Sequence, residues 1–201
     1  MVATINSMLN VSEIESGRLE LTVQDVDAGK VSRAIVKEFE SSTPSHAFRV
    51  DIPEVSAMVK ADSVRLSQIV QNLVDNAVKY SPEAGTISIT TDTAPNGMVN
   101  FHVSDTGIGI PTEAQRRLFE PFSRVSDEQT SAVSGSGLGL YIARNLVKHY
   151  GGEMWLDSEP GAGTTVHFTL PAAQSASESL PAATERNQGA PAPAIIPLIP
   201  G

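Results

Sequence analysis

The sequence predicts an α/β (α+β) two-layer sandwich in which helices cover one face of a mixed β-sheet. Three observations predict it. Two stretches, 27–40 and 62–80, carry apolar residues at helical spacing, and several short runs alternate apolar with polar residues as strands do. The strands also fall in neighbouring hairpins mixed with the long helices, the order expected of a sheet covered on one face. With 201 residues and 40% hydrophobic content, the chain can bury one good core with at most a small appendage.

In chain order, the opening "ATINSMLNVSEIESGRLEL" has Ile5, Met8, Leu9, Ser12 and Ile14 near helical spacing until Gly17, after which Leu19 and Leu21 alternate as in a strand. The start has no cap, so residues 1–16 read as the end of a helix begun elsewhere, with an ordinary N-terminal helix as the alternative. A helix is predicted over 27–40, then short strands over 47–52 and 57–60. Asp62 can cap a helix running through Tyr80 by accepting from the free N–H groups of its first turn. Strands 86–91 and 98–104 face each other across a turn ending in Asn96-Gly97, a hairpin signal. A helix over 137–149 and a closing hairpin, 153–158 with 164–170, complete a domain spanning 17–171. From 172 to 201 the chain is rich in Ala, Pro and Ser and too poor in apolar side chains to offset its ordering entropy, so it reads as a disordered tail.

Charge and composition exclude several functions. A formal net charge of -9 argues against a nucleic-acid or anionic-membrane surface, because phosphate-rich partners reward clustered Lys and Arg. With no cysteine there is no disulfide framework and no thiolate chemistry, and His, Asp and Glu show no metal-ligand spacing. No leader pattern or long apolar segment is seen, so the chain is expected to be soluble, cytoplasmic and without membrane contact of its own.

Three stretches carry candidate chemistry. In "RLSQIVQNLVDNAVKYSP" the stripe Leu66, Ile69, Val70, Leu73, Val74 and Ala77 marks a core face, and Gln68, Asn72, Asn76 and Lys79 form a row at its flank. Asn offers an amide oxygen to a hard cation and N–H donors to phosphate, and Lys79 adds a positive charge. A solvated helix face would carry a similar row. In "DTGIGIP", Asp105 emerges at a strand end where it could accept from an exocyclic amine, and Gly107 and Gly109 let the backbone approach a ligand; a tight turn is the simpler reading. In "SGSGLGLYIARNLVKHYGG", Gly135, Gly137 and Gly139 open a helix whose free N–H groups suit phosphate. Neither a dinucleotide fingerprint nor a Walker loop is present.

Together, "QIVQNLVDNAVKYSP", "DTGIGIP", "LFEPFSRV" and "GSGLGLYIAR" resemble, in order and spacing, the N box, first glycine box, F box and second glycine box of the catalytic, ATP-binding domain of sensor histidine kinases. "GGEMWLDSEPGAGTTVHFTLP" resembles that family's closing hairpin, and "MLNVSEIESGRLEL" is similar to the end of its second dimerisation helix. The resemblance covers about 17–171 and implies the Bergerat ATP-binding fold. It implies that Asn72 coordinates magnesium, with Asn76, Lys79 and Tyr80 around the phosphates and ribose. Asn72 and Lys79 are thereby the catalytic candidates. It implies that Asp105 receives the adenine amine beside Gly107 and Gly109, that Gly135, Gly137, Gly139 and Leu140 end the lid, and that Thr164 or, preferentially, Thr165 lies near adenine. Residues 111–136 would be the lid over ATP, with Phe119 and Phe122 as its apolar anchors or simply core residues.

One departure shapes the functional expectation. The family's phosphoacceptor histidine lies on the first dimerisation helix, which this chain does not contain; "SHAFR" around His46 lacks the acidic residue of an acceptor box. His102, His149 and His167 have structural readings. The chain is therefore expected to act on a dimerisation domain elsewhere, with a response regulator receiver domain as the next partner. Hydrolysing relatives with the same fold carry a Glu where Asn72 stands, which favours phosphoryl transfer over hydrolysis here. A nucleotide-binding regulatory module without kinase activity and a serine-kinase regulator of a sigma factor remain as alternatives.

Overall fold

The structure, a computed structural model, describes residues 2–54, 57–81, 85–94, 96–123 and 135–173, with side chains from residue 8 onward. The elements run α1 (Val2–Glu15), β1 (Gln24–Asp27), α2 (Ala28–Ser42), β2 (Ala47–Asp51), β3 (Met58–Ala61), α3 (Ser63–Tyr80), β4 (Thr86–Thr93), β5 (Met98–Asp105), α4 (Thr112–Gln115), α5 (Gly139–His149), β6 (Met154–Glu159) and β7 (Gly163–Pro171). A five-stranded sheet has the order β2-β4-β5-β7-β6, parallel between β2 and β4 and antiparallel elsewhere. The mixed sheet with helices packed on it is the predicted fold class.

Alternation along the strands decides which face receives the helices. In β5, Val99, Phe101 and Val103 are buried, and the intervening Asn100, His102 and Ser104 point the other way. Phe101 lies opposite Phe168 of β7 with the two rings stacked, centroids 4.4 Å apart. Against them pack Leu66, Ile69 and Leu73 from α3 and Ile142 and Leu146 from α5, all buried at the spacing read from sequence.

Two helices begin on aspartate caps. Asp27 Oδ1 accepts from Lys30 N–H at 2.9 Å, and Asp62 Oδ1 accepts from Val64 N–H at 2.9 Å. Asp62 Oδ2 also takes the Thr22 N–H at 3.0 Å, tying the loop after α1 to the head of α3. Arg65 secures α1 itself, donating to Asn10 Oδ1 at 2.8 Å and Glu13 Oε2 at 3.2 Å, while Ile14 enters the core.

The structure corrects several boundaries. Leu19 and Leu21 form no strand; the strand lies at Gln24–Asp27, because pairing with β3 sets Val26 opposite Val59 and gives that short segment its partner edge. The last helix starts at Gly139 and not at Gly137, whose φ of +69° is incompatible with a right-handed helix. Strand β5 runs one residue further than expected and so includes Asp105. Ala172 bridges to Val59 and Ala173 N–H donates to Met58 O at 3.0 Å, so two residues assigned to the tail continue along β3. The remaining tail, 174–201, and lid residues 124–134 lie outside the described residues.

Candidate functional site

The long helix α3 lays Asn72, Asn76 and Tyr80 in one row, four residues apart, all partly buried beside the buried stripe. Over those eight residues the row spans roughly 12 Å at 1.5 Å per residue. Its two ends meet different structures.

At the Asn72 end stands the start of α5. A Cβ on Gly139 would sit 3.6 Å from Asn72 Oδ1, so the helix backbone comes directly against the carboxamide. Asn72 Nδ2 is buried and has no hydrogen-bond partner. An unpaired buried donor costs about 1–3 kcal/mol, which a ligand oxygen there would offset. Leu138, at the cap position of α5, supplies no side-chain cap, in contrast to Asp27 and Asp62 on the other two long helices of the domain. The first turn of α5 thus keeps free N–H donors and the positive end of its dipole facing the same place.

At the Tyr80 end lies the turn after β5. Ile108 N–H donates to Tyr80 O at 3.0 Å, and a Cβ on Gly107 would stand 2.1 Å from that same oxygen. Only glycine allows this approach. Gly109, at φ +68°, is likewise closed against the Glu159 carbonyl, 1.9 Å from where a Cβ would be. Both glycines therefore serve the packing of this turn between α3 and the β6–β7 hairpin. Asp105 Oδ1 accepts from Gly107 N–H at 2.8 Å, with Ser81 Oγ at 3.5 Å. Burial pushes the Asp105 carboxyl above its usual range, even though Gly107, Thr164 and Ser81 donate to it.

The two candidate threonines separate by strand parity. Thr164 is the register partner of Asp105 and shares its face; Thr165 pairs with Ser104, to whose Oγ its hydroxyl donates at 2.9 Å on the opposite face. Thr164, not the preferred Thr165, is thus the threonine beside Asp105. Lys79 forms an ion pair with Asp75 on its own helix, so the expected cation already has a carboxylate partner. Gly137 backs onto the Phe122 backbone, Leu140 is packed against the core, and Gly135 is exposed.

A family model described as the histidine kinase-, DNA gyrase B-, and HSP90-like ATPase matches residues 61–174, from β3 to just past β7. The chain belongs to this family. Within this ATPase family it is similar to the sensor histidine kinase WalK of Bacillus subtilis, 33% identical over 85% of this chain and 28% of that protein. The adaptive-response sensory kinase SasA of Trichormus variabilis is 36% identical over 83% of this chain and 42% of its own length. The chain thus spans well under half of these relatives. Among solved structures, full-length ShkA in complex with AMPPNP superposes with a TM-score of 0.75 at 28% identity, covering 86% of this chain and 36% of that one. Histidine kinase ThkA in complex with the response regulator TrrA gives 0.66 at 26% identity, covering 85% and 48%.

The ATPase-family member described here also places residues that sequence reading passed over. Ser81, buried at the end of α3, faces Asp105 with its hydroxyl, and its carbonyl lies 2.6 Å from His46 Nε2. His46 Nδ1 meets Ser45 Oγ at 3.2 Å, so the ring is engaged at both nitrogens as a brace. Only its position just before a strand hinted at such a role. Of the lid anchors, Phe119 packs against the core with the Arg144 guanidinium 4.8 Å from its ring centroid. Phe122 is exposed and holds φ at +60°, so it does not anchor to the core.

Proposed function

We propose that this chain binds magnesium-ATP along the row from Asn72 to Asp105 and is the catalytic half of a sensor histidine kinase. The observation that carries the proposal is the unpaired Nδ2 donor of Asn72, suited to a phosphate oxygen, beside the uncapped head of α5. In this reading Asn72 holds the metal; Asn76, Lys79 and the α5 head, Gly135, Gly137, Gly139 and Leu140, take the phosphates; Tyr80 borders the ribose. Asp105, in the turn formed by Gly107 and Gly109 and beside Thr164, accepts from adenine. Magnesium would neutralise phosphate charge where Asn72 and the α5 donors converge. Among the described residues no group of three His, Asp or Glu could hold a metal by itself, which fits an ion held mainly by nucleotide oxygens.

The choice between hydrolysis and transfer turns on a base. Asp75, the carboxylate on the turn after Asn72, is paired with Lys79, and Asn72 itself cannot take a proton from water. Transfer to a positioned histidine of a dimerisation domain, with relay to a response regulator, is therefore favoured. The relatives' names as sensory kinases, a relative's complex with AMPPNP and another's with a response regulator support it. Among the described residues no helix is long and apolar enough to cross a membrane, and the proposed site of action is the cytoplasm.

The test mixes the chain with radiolabelled ATP, magnesium and a dimerisation domain from a related kinase. Acid-labile, alkali-stable label on that domain is expected, and Asn72→Ala should abolish it. Release of free phosphate without label on any partner would support hydrolysis and defeat the proposal.

A further inference from the structure

The sheet face turned away from the core carries a chain of side chains that the nucleotide site does not use. The register sets His102 of β5 opposite His167 of β7, and His167 opposite Trp155 of β6. His102 Nδ1 and His167 Nδ1 are 2.6 Å apart. At the outer ends, His102 Nε2 lies 2.7 Å from Asp92 Oδ2 on β4, and His167 Nε2 lies 3.0 Å from Asp157 Oδ2 on β6. Trp155 stacks on His167 at 5.1 Å between centroids, closing one side of the ring to water. The imidazoles are largely buried, at 24% and 14% side-chain exposure, whereas Asp157 at 79% is free to turn.

The hydrogens available along this chain of side chains are too few. It contains three contacts, and carboxylates bring only lone pairs, so three ring N–H groups are needed to fill it. Two neutral imidazoles bring two. One contact then has lone pair against lone pair, and geometry favours the His167 end: Nε2 is buried, and its 3.0 Å approach to Asp157 lacks the alignment of a hydrogen bond. One added proton supplies the missing N–H, and a small rotation of the exposed Asp157 completes the chain. A second added proton would set two N–H groups head to head across 2.6 Å.

We propose that His102 and His167 form a site for a single proton, held between Asp92 and Asp157, that resists a second. Every charged group facing it fits that count. Asn100 donates to Asp92 Oδ1 at 2.7 Å and leaves the other oxygen to His102. By strand parity Asp51 and Arg49 of β2 and Glu153 before β6 share this face, so acids outnumber the one base and favour the first proton. The Asp92 carboxyl is held below its ordinary range, first by His102 and then by Asn100. Burial and then the charge of His102 hold His167 below its ordinary value of 6.5, the mutual repulsion expected when both rings are charged. A depressed imidazole contributes stability above its unfolded value and loses it as pH falls towards the folded one. The link between β5 and β7 therefore weakens when the second proton is taken up, below about 6.5. This site is independent of the nucleotide reading.

Ring-nitrogen NMR of the histidine-labelled chain between acidic and weakly basic pH tests it. Two separated steps are expected, with one protonated and one bare Nδ1 between them. In His102→Gln the second step should disappear, and His167 should titrate alone at a pH displaced from its step in the parent. Two rings that titrate independently, with His167 unmoved by that substitution, would overturn the proposal. Should His102→Gln not fold, Asp157→Asn removes an exposed carboxylate and should move the first proton uptake to lower pH; an unchanged first step overturns it equally.

Discussion

Asp105 is held where its charge is unwelcome. Burial raises its carboxyl above the ordinary value of 3.8 despite three donors, so the ionised group is worse off folded than unfolded. The sign follows directly: ionised Asp105 lowers stability above its folded value, and the deficit fades as pH falls through that value. Asp105→Asn should therefore raise the melting temperature of the nucleotide-free chain at neutral pH. The same change replaces a charged acceptor with a neutral one. A charge-assisted hydrogen bond contributes about 1.5–3 kcal/mol, so ATP affinity by calorimetry should fall roughly 10- to 100-fold. A variant that gains stability and keeps its affinity would remove Asp105 from the adenine site. Residue types and their spacing made Asp105, Asn72 and Asn76 legible in sequence, because polar side chains flanking a core stripe or ending a strand are visible there. The choice of Thr164 over Thr165, the role of Ser81 and the Asp75 partner of Lys79 were not legible, because each depends on which face or rotamer the packing selects.

Helix heads divide into two kinds in this domain, and the division matches their roles. Asp62 closes α3 and also binds Thr22, and the N–H groups of Thr22, Arg65 and Val64 hold its carboxyl below 3.8 although burial works the other way. Its stabilisation is complete above that value and is lost as pH falls through the lower, folded one. Asp62→Ala should cost about 0.5–2 kcal/mol of stability in thermal or denaturant unfolding. It should leave ATP affinity nearly unchanged, since Asp62 lies at the far end of α3 from Asp105. A large loss of affinity would mean that α3 transmits its capping to the site. The α5 head has no such cap, and in the proposed site phosphate would meet its free N–H groups. Helix α3, with its long apolar periodicity, was read from sequence to the residue. Strand β1 escaped, because four residues with a single buried side chain have no periodicity until β3 supplies a partner.

For the molecule as a whole, the described structure holds an ATPase-family domain with α1 fastened to it through Arg65 and Ile14. The histidines are all engaged structurally: His46 with Ser81, His102 and His167 with each other, and His149 with Asn145 O at 2.9 Å. His46 and His102 are engaged at both ring nitrogens, His167 is largely buried, and His149 lies exposed at the end of α5; none is placed at the proposed site, so the chain alone should bind magnesium-ATP without labelling itself. Radiolabel on His46 after incubation of the isolated chain, located by mass spectrometry, would reverse that reading. The sequence by itself determined the fold class, the family, the core stripe of α3 and the types of residue at the candidate site, because periodicity and ordered motifs are properties of the chain. Tertiary structure alone decided that Thr164 faces Asp105, that Asn72 meets the head of α5, and that His102 and His167 share one contact. Those outcomes depend on where two distant elements meet and on strand register, where a shift of one residue would turn Thr164, His102 and His167 to the other face.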